Sequence, residues 1–165
     1  LGTRAHYMLS KGEPVFAFIG NDRGAQAEHV VVKAVELVAA PRSLDLAHAA
    51  AVPLAAITAW QGLFDHGGLE AGQTVLIHGG GGGVGHLAIQ LAKAKGATVF
   101  TTVGGGDLDF ARDLGADEAI DYRKQRFEEV VSGVDMVFDL VGGETQDRSW
   151  QVIRKGGGSY VAVPR

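Results

Sequence analysis

The sequence predicts an α/β protein built on a doubly wound parallel sheet, and three observations carry that reading. Five short, β-branched segments, 74–78, 97–103, 118–121, 134–141 and 158–163, are mostly apolar on both faces, as strands buried inside a covered parallel sheet are. Segments of helical period separate them, at 84–95, 107–115, 123–131 and 143–153. Glycine supplies 25 of 165 residues, about twice the roughly 7% of average proteins. It gathers at 79–83, 104–106, 142–143 and 156–158, so that strand and helix alternate across short turns.

Taken in order, "TVLIH" (74–78) is the first strand of this sheet, and "GGGGG" (79–83) turns it into a helix over 84–95. On that helix Val84, Leu87, Ala88, Leu91 and Ala92 share one face. "ATVFTTV" is the second strand, "EAID" the third, "VDMVFDLV" the fourth and "GSYVAV" the fifth. Five parallel strands are one fewer than the usual six of this architecture. Ahead of them, residues 12–41 read as short strands with turn signals at Gly20-Asn21-Asp22 and Gly24. The length suits one full domain with pieces of another.

Composition excludes several classes. Fifteen Lys and Arg against nineteen Asp and Glu give a net charge of −4 with no basic stripe, so nucleic acid is not an expected partner. No apolar run approaches the roughly 20 residues that span a bilayer, and residues 1–20 lack the charged-then-apolar order of a signal peptide. The chain reads as cytoplasmic. With no cysteine, disulfides, thiolate nucleophiles and cysteine-ligated zinc are not available.

The five glycines have a chemical use. Gly80, Gly82 and Gly85 satisfy G-x-G-x-x-G, and Gly79, Gly82 and Gly85 a looser G-x-x-G-x-x-G. One glycine permits a tight turn, one lets backbone N–H groups reach a pyrophosphate, and one lets helix pack on strand. The helix N-terminus then presents unpaired N–H groups and partial positive charge to the phosphates. Because the run follows a buried strand and opens an amphipathic helix, it reads as a dinucleotide-binding loop. The second strand ends Thr101-Thr102-Val103-Gly104, without the carboxylate that binds an NAD ribose, which favours NADP over NAD. Asp107 has two readings, a displaced ribose acid or the cap of the next helix.

Other chemistry finds less support. His78 and His86 fall on different elements, not at the spacing of a helical metal pair, and read as positional. His48 and His66 read as helix-surface residues, His66 at a helix C-terminus. Ser132 and Ser159 lack G-x-S-x-G. Asp139, ending the fourth strand, reads as binding the backbone of the following "VGGE" turn.

Three stretches, "AAAVPLAAITAWQGLFDHGGLEAGQTVLIHGGGGGVGHLAIQLAKAKGATV", "LGADEAIDYR" and "VDMVFDLVGGE", occur in an order and spacing that resemble the medium-chain dehydrogenase/reductase superfamily. The nearest likeness is to its zinc-free quinone oxidoreductase, zeta-crystallin-like branch, over about residues 13–163. The resemblance implies a partial GroES-like catalytic segment in residues 1–50 and a Rossmann cofactor domain in 51–165. It also implies that the family's first strands would precede residue 1, and that its last cofactor-domain strand and returning catalytic segment would follow residue 165.

Further implications concern the site. A ligand cysteine of zinc-dependent members falls where this chain has Leu54, so no zinc is expected. By resemblance Gly82, Gly83 and Val84 present backbone N–H groups to the pyrophosphate, in a loop that Gly79, Gly80 and Gly85 complete. Thr58 lies beside the nicotinamide end, or is simply a helix-interior hydroxyl bonded to its own backbone. Thr102, Val103 and Gly104 border the adenosine ribose; Tyr122, helped by Arg123, meets the 2′-phosphate; Val141 and Gly142 line the nicotinamide side. The family's usual lysine after the second strand is absent from "VGGGDLDFAR".

The implied activity is hydride transfer from NADPH, which carries the difficult chemistry, to a quinone or the β-carbon of an enone. No general acid is named by the motifs. The alternatives are an enoyl reductase, free-standing or part of a polyketide or fatty-acid synthase, and a non-catalytic nucleotide-binding module. Homodimerisation or higher self-association is also implied.

Overall fold

A computed structural model gives the structure of residues 9–163, and the chain divides into two compact units between Leu54 and Ala55. In the first unit, β1 (Val15–Phe16) pairs antiparallel with β2 (Val38–Ala39), and α1 (Leu46–Ala50) follows. Asp45 caps α1, its carboxylate accepting the His48 N–H at 2.9 Å, as an N-cap acid does. The turn signals in 12–41 predict more strand than forms there. Apart from β1, β2 and a 3₁₀ turn at Ala34–Glu36, its described residues are irregular.

The second unit is the predicted sheet. The strands β3 (Thr74–His78), β4 (Thr98–Val103), β5 (Glu118–Asp121), β6 (Met136–Asp139) and β7 (Ser159–Ala162) lie in the order β5-β4-β3-β6-β7, and every pair is parallel. The order reverses at β3, so the crevice beyond its C-terminal end is the switch point where such sheets bind ligands. Alternation sends Val75, Ile77, Met136 and Phe138 into one buried cluster and Leu76, Val137 and Ile120 into the other, which Phe127 joins from outside the sheet. The sheet is therefore covered on both faces.

The first face is covered by α3 (Gly85–Lys95), through Ala88, Ile89 and Ala92, and by Ala111 of α4 (Leu108–Asp113). It also takes Ala59 of α2 (Val52–Trp60) and Leu63 of the π-helix Gln61–His66. Gly96 ends α3 in the left-handed conformation, φ +91°, where a side chain would be strained. Two other glycines bring the π-helix down on the sheet. A Cβ at Gly62 would stand 2.3 Å from the Phe138 ring, and one at Gly67 would stand 2.2 Å from Met136 Cε.

On the second face the expected helices are shorter or missing. Residues 123–131, predicted to be a helix, contain only a 3₁₀ turn at Phe127–Glu129. Asp121 takes over the start of the segment: its side chain accepts the Arg123 N–H, and its carbonyl accepts those of Lys124 and Gln125. The β-branched pair Val130-Val131 disfavours continuation. The final helix, α5 (Glu144–Ser149), stops short of the expected 153. Ile153 instead forms a parallel bridge with Val134, so residues 152–154 serve the sheet.

Candidate cofactor-binding site

At the C-terminal end of β3 the chain turns through Gly79, φ +80°, a value that favours glycine. The Gly79 and Gly80 N–H groups both donate to the Thr102 carbonyl, at 3.1 and 3.0 Å, and the Gly82 N–H donates to the Gly79 carbonyl. Packing fixes two further glycines. A Cβ on Gly80 would lie 2.1 Å from Thr101 Oγ1, and one on Gly85 would lie 2.1 Å from the Gly79 carbonyl oxygen. At Gly83, by contrast, a Cβ would meet nothing within 4 Å. The Gly82 N–H, expected to face the pyrophosphate, is thus spent within the turn, and Gly81 takes its place: the N–H groups of Gly81, Gly83 and Val84 have no acceptor among the described residues. They stand at the N-terminus of an eleven-residue helix, where an anion is favoured.

These residues line a cavity of about 720 Å³. Of the residues expected from the sequence, Gly79, Gly82, Gly83, Val84, Gly85, Thr102, Val103, Gly104, Tyr122, Arg123 and Val141 are brought together in its walls. Gly80, Gly142 and Thr58 are not. Gly80 packs on β4, Gly142 gives its N–H to Asp139 Oδ1 at 3.0 Å, and Thr58 sits half-buried on α2. Tyr122 is well exposed, with the Arg123 guanidinium 5.4 Å from its ring centre, a cation–π distance.

Several lining residues lie outside the expected set. Asp107 occupies the N-cap position of α4, yet its side chain makes no capping bond. It faces the loop instead, with Oδ2 3.0 Å from where a Gly81 Cβ would be. Only a tertiary contact reveals this, because the spacing suits a cap equally well. Gln125, Phe127, Thr145, Arg148 and Val163 also line the cavity, on segments whose motifs carry no cofactor signal.

The buried polar groups around the floor are paired. Asp139 Oδ1 accepts the Val141 and Gly142 N–H groups, and the Tyr160 hydroxyl donates to Oδ2. Burial alone would raise the Asp139 carboxyl, but the Tyr160 hydroxyl and the Gly142 and Val141 N–H groups outweigh it and hold it below the usual carboxylate range. Tyr160 is pushed up, by burial first and then by that carboxylate. Arg148 holds Glu128 through two hydrogen bonds and lowers its carboxyl to about 2. His78 is fully buried, edge-on to Phe127 with ring centres 4.6 Å apart. Burial is the main reason that its pKa falls to about 4, so the ring is neutral near pH 7.

A helix N-terminus with unpaired N–H groups, a glycine cradle and an adjoining cavity fit the diphosphate of a dinucleotide. Residues 83–163 match the family model described as zinc-binding dehydrogenase. The chain is 41% identical over 140 residues to 2-methylene-furan-3-one reductase of Solanum lycopersicum, covering 84% of this chain and 35% of that protein. It is 39% identical over 158 residues to the chloroplastic NADPH-dependent alkenal/one oxidoreductase of Arabidopsis thaliana, covering 90% and 40%. The solved quinone oxidoreductase from Coxiella burnetii superposes with a TM-score of 0.73 at 42% identity, covering 78% of this chain and 40% of that one. The chain belongs to the medium-chain dehydrogenase/reductase superfamily. It spans 35% to 40% of the length of these relatives.

Proposed function

We propose that the chain is the cofactor-binding part of an NADPH-dependent, zinc-independent oxidoreductase acting on a quinone or an α,β-unsaturated carbonyl. The observation that carries this reading is the set of unpaired N–H groups on Gly81, Gly83 and Val84, at a helix N-terminus that opens on the cavity. When bound, the nicotinamide cofactor supplies the hydride. The loop N–H groups and the helix dipole hold the diphosphate. Tyr122 and Arg123 take the adenosine end, where Arg123 offers the charge that a 2′-phosphate needs. Val141, Leu140 and Val163 give the cavity apolar wall and exclude water from the reacting end.

The relatives support the substrate class, since their names specify a furanone reductase, an alkenal/one oxidoreductase and a quinone oxidoreductase. Zinc independence rests on this chain's own residues. Leu54 stands where a ligand cysteine falls in zinc-dependent members, and the chain contains no cysteine at all.

The test is a fluorescence titration with NADPH and NADH in parallel, followed by NADPH oxidation with a simple quinone and a simple enone. Saturable binding with NADPH at least about tenfold tighter, about 1.4 kcal/mol, supports the reading. Equal affinities remove the NADPH preference, and binding to neither removes the cofactor site. Tight binding without turnover on either substrate favours a non-catalytic nucleotide-binding module.

A further inference from the structure

Four hydrogen bonds run in series beneath the glycine loop. The Gly79 N–H reaches Thr102 Oγ1 at 3.3 Å, and Thr102 Oγ1 meets His78 Nδ1 at 3.0 Å. His78 Nε2 meets Ser149 Oγ at 3.0 Å, and the Ser149 hydroxyl donates to the Thr145 carbonyl at 2.6 Å. His78 and Ser149 are fully buried and Thr102 nearly so, so water does not substitute for a missing partner.

Donor and acceptor counting fixes the direction of the whole row. A carbonyl only accepts, so the single Ser149 proton points at Thr145. The Ser149 oxygen therefore accepts from His78, which places the imidazole proton on Nε2. Nδ1 is then bare, and the Thr102 hydroxyl must donate to it. That leaves the Thr102 oxygen lone pairs for the Gly79 N–H. The opposite tautomer would leave a bare Nε2 facing the Ser149 oxygen, whose only proton is already given to the Thr145 carbonyl, setting two acceptors against each other.

We infer that His78 is a positioning residue for the phosphate-binding loop: neutral and protonated on Nε2, it orients the Thr102 hydroxyl so that Thr102 holds Gly79, the residue at which the loop turns. The same row ties that turn to α5, whose Thr145 and Arg148 share the cavity with the loop. Gly79 matters because Gly85 and Gly82 pack against its carbonyl, so a shift there moves the N–H groups that follow. The consequence for ligand affinity rests on the cofactor reading; the tautomer and the restraint on Gly79 do not.

The test uses the whole 165-residue chain, labelled with ¹⁵N. Long-range ¹H–¹⁵N correlations at neutral pH are expected to show His78 protonated on Nε2, and protonation on Nδ1 overturns the inference. His78→Leu fills the space without an acceptor, whereas His78→Asn returns an acceptor near the Nδ1 position. The Gly79 N–H is shared with the Thr102 carbonyl at 3.1 Å, so its amide exchange is expected to be about threefold faster in His78→Leu, the loss of one of two acceptors, and close to the parent in His78→Asn. The dissociation constant for NADPH is expected to follow the same pattern, about threefold weaker and then restored.

Unchanged Gly79 exchange in His78→Leu overturns the inference even where NADPH binds. If the parent chain binds no NADPH while tautomer and exchange behave as stated, the cofactor reading falls and the positioning role stands. Should His78→Leu not fold, Thr102→Val removes the hydroxyl alone. Accelerated Gly79 exchange there supports the inference, and unchanged exchange overturns it.

Discussion

Tyr160 on β7 donates its hydroxyl to Asp139 at the end of neighbouring β6, and the second oxygen of that carboxylate holds the turn at Val141 and Gly142. One buried carboxylate thus joins a sheet strand to the cavity wall. Tyr160→Phe is expected to destabilise the chain by about 1–2 kcal/mol, the loss of a hydrogen bond to a charged group. It should also raise the Asp139 carboxyl towards its ordinary value. Since the folded pKa is depressed, this stabilisation is present above the unfolded pKa of about 4 and is lost as pH falls below it. Thermal melts of the two proteins between pH 3 and 7 check both points; equal melting temperatures throughout would remove the clamp.

The glycines of the loop separate into positions packed against backbone and positions open to the cavity. Gly85→Ala places a methyl 2.1 Å from the Gly79 carbonyl oxygen and 2.8 Å from Gly80 Cα, both backbone atoms that yield little. A loss of about 3 kcal/mol or more is expected, at the upper end of overpacking costs. Gly83→Ala meets nothing within 4 Å, so its melting temperature should stay near the parent's while NADPH binding weakens. Denaturation and titration of the pair decide this, and identical behaviour of the two variants would contradict it.

His78 gives the stability a second dependence on acid. Burial lowers its folded pKa to about 4, Arg148 adds to the lowering, and Asp139 and Glu128 oppose it. Unfolded histidine titrates near 6.5, so between pH 6.5 and 4 the unfolded chain binds the extra proton. Stability is therefore full above about pH 6.5 and falls by about 3 kcal/mol on the way to pH 4. Urea denaturation across that window should show the fall in the parent and a flatter profile in His78→Asn.

Arg123 and Asp107 line one cavity with opposite charges, so the proposed cofactor reading predicts opposite effects of the two on nucleotide preference. Arg123→Ala is expected to weaken NADPH about tenfold and leave NADH nearly unchanged, the effect of one exposed phosphate contact. Asp107→Ser removes a negative charge beside the loop and should tighten NADPH more than NADH. Parallel titrations check the pair, and equal effects on both nucleotides would place neither side chain at the 2′-position.

Much of the fold is legible in the amino-acid sequence. The five strands are, because β-branched runs apolar on both faces leave few options except a covered parallel sheet. The loop is legible because strand, glycines and amphipathic helix follow in a fixed order. Tertiary choices are what the sequence hides. Asp107 and Asp121 both have local roles open to them, and only the fold shows that Asp107 faces the loop while Asp121 organises the turn that replaces a helix at 123–131. His78 reads as positional from its spacing, but Ser149, 71 residues away, carries no local mark of being its partner.

The π-helix between α2 and β3 carries a consequence for packing. Gly62 and Gly67 are five residues apart, and the Gly67 N–H donates to the Gly62 carbonyl at 3.0 Å, so the wide turn sets both glycines over neighbouring side chains of β6. In a plain α-helix the same overlay needs a separation of four, since 3.6 residues make a turn. The extra residue of the wide turn is therefore what lets the backbone lie directly on Phe138 and Met136 at two points, and a methyl at either glycine would push the segment off the sheet.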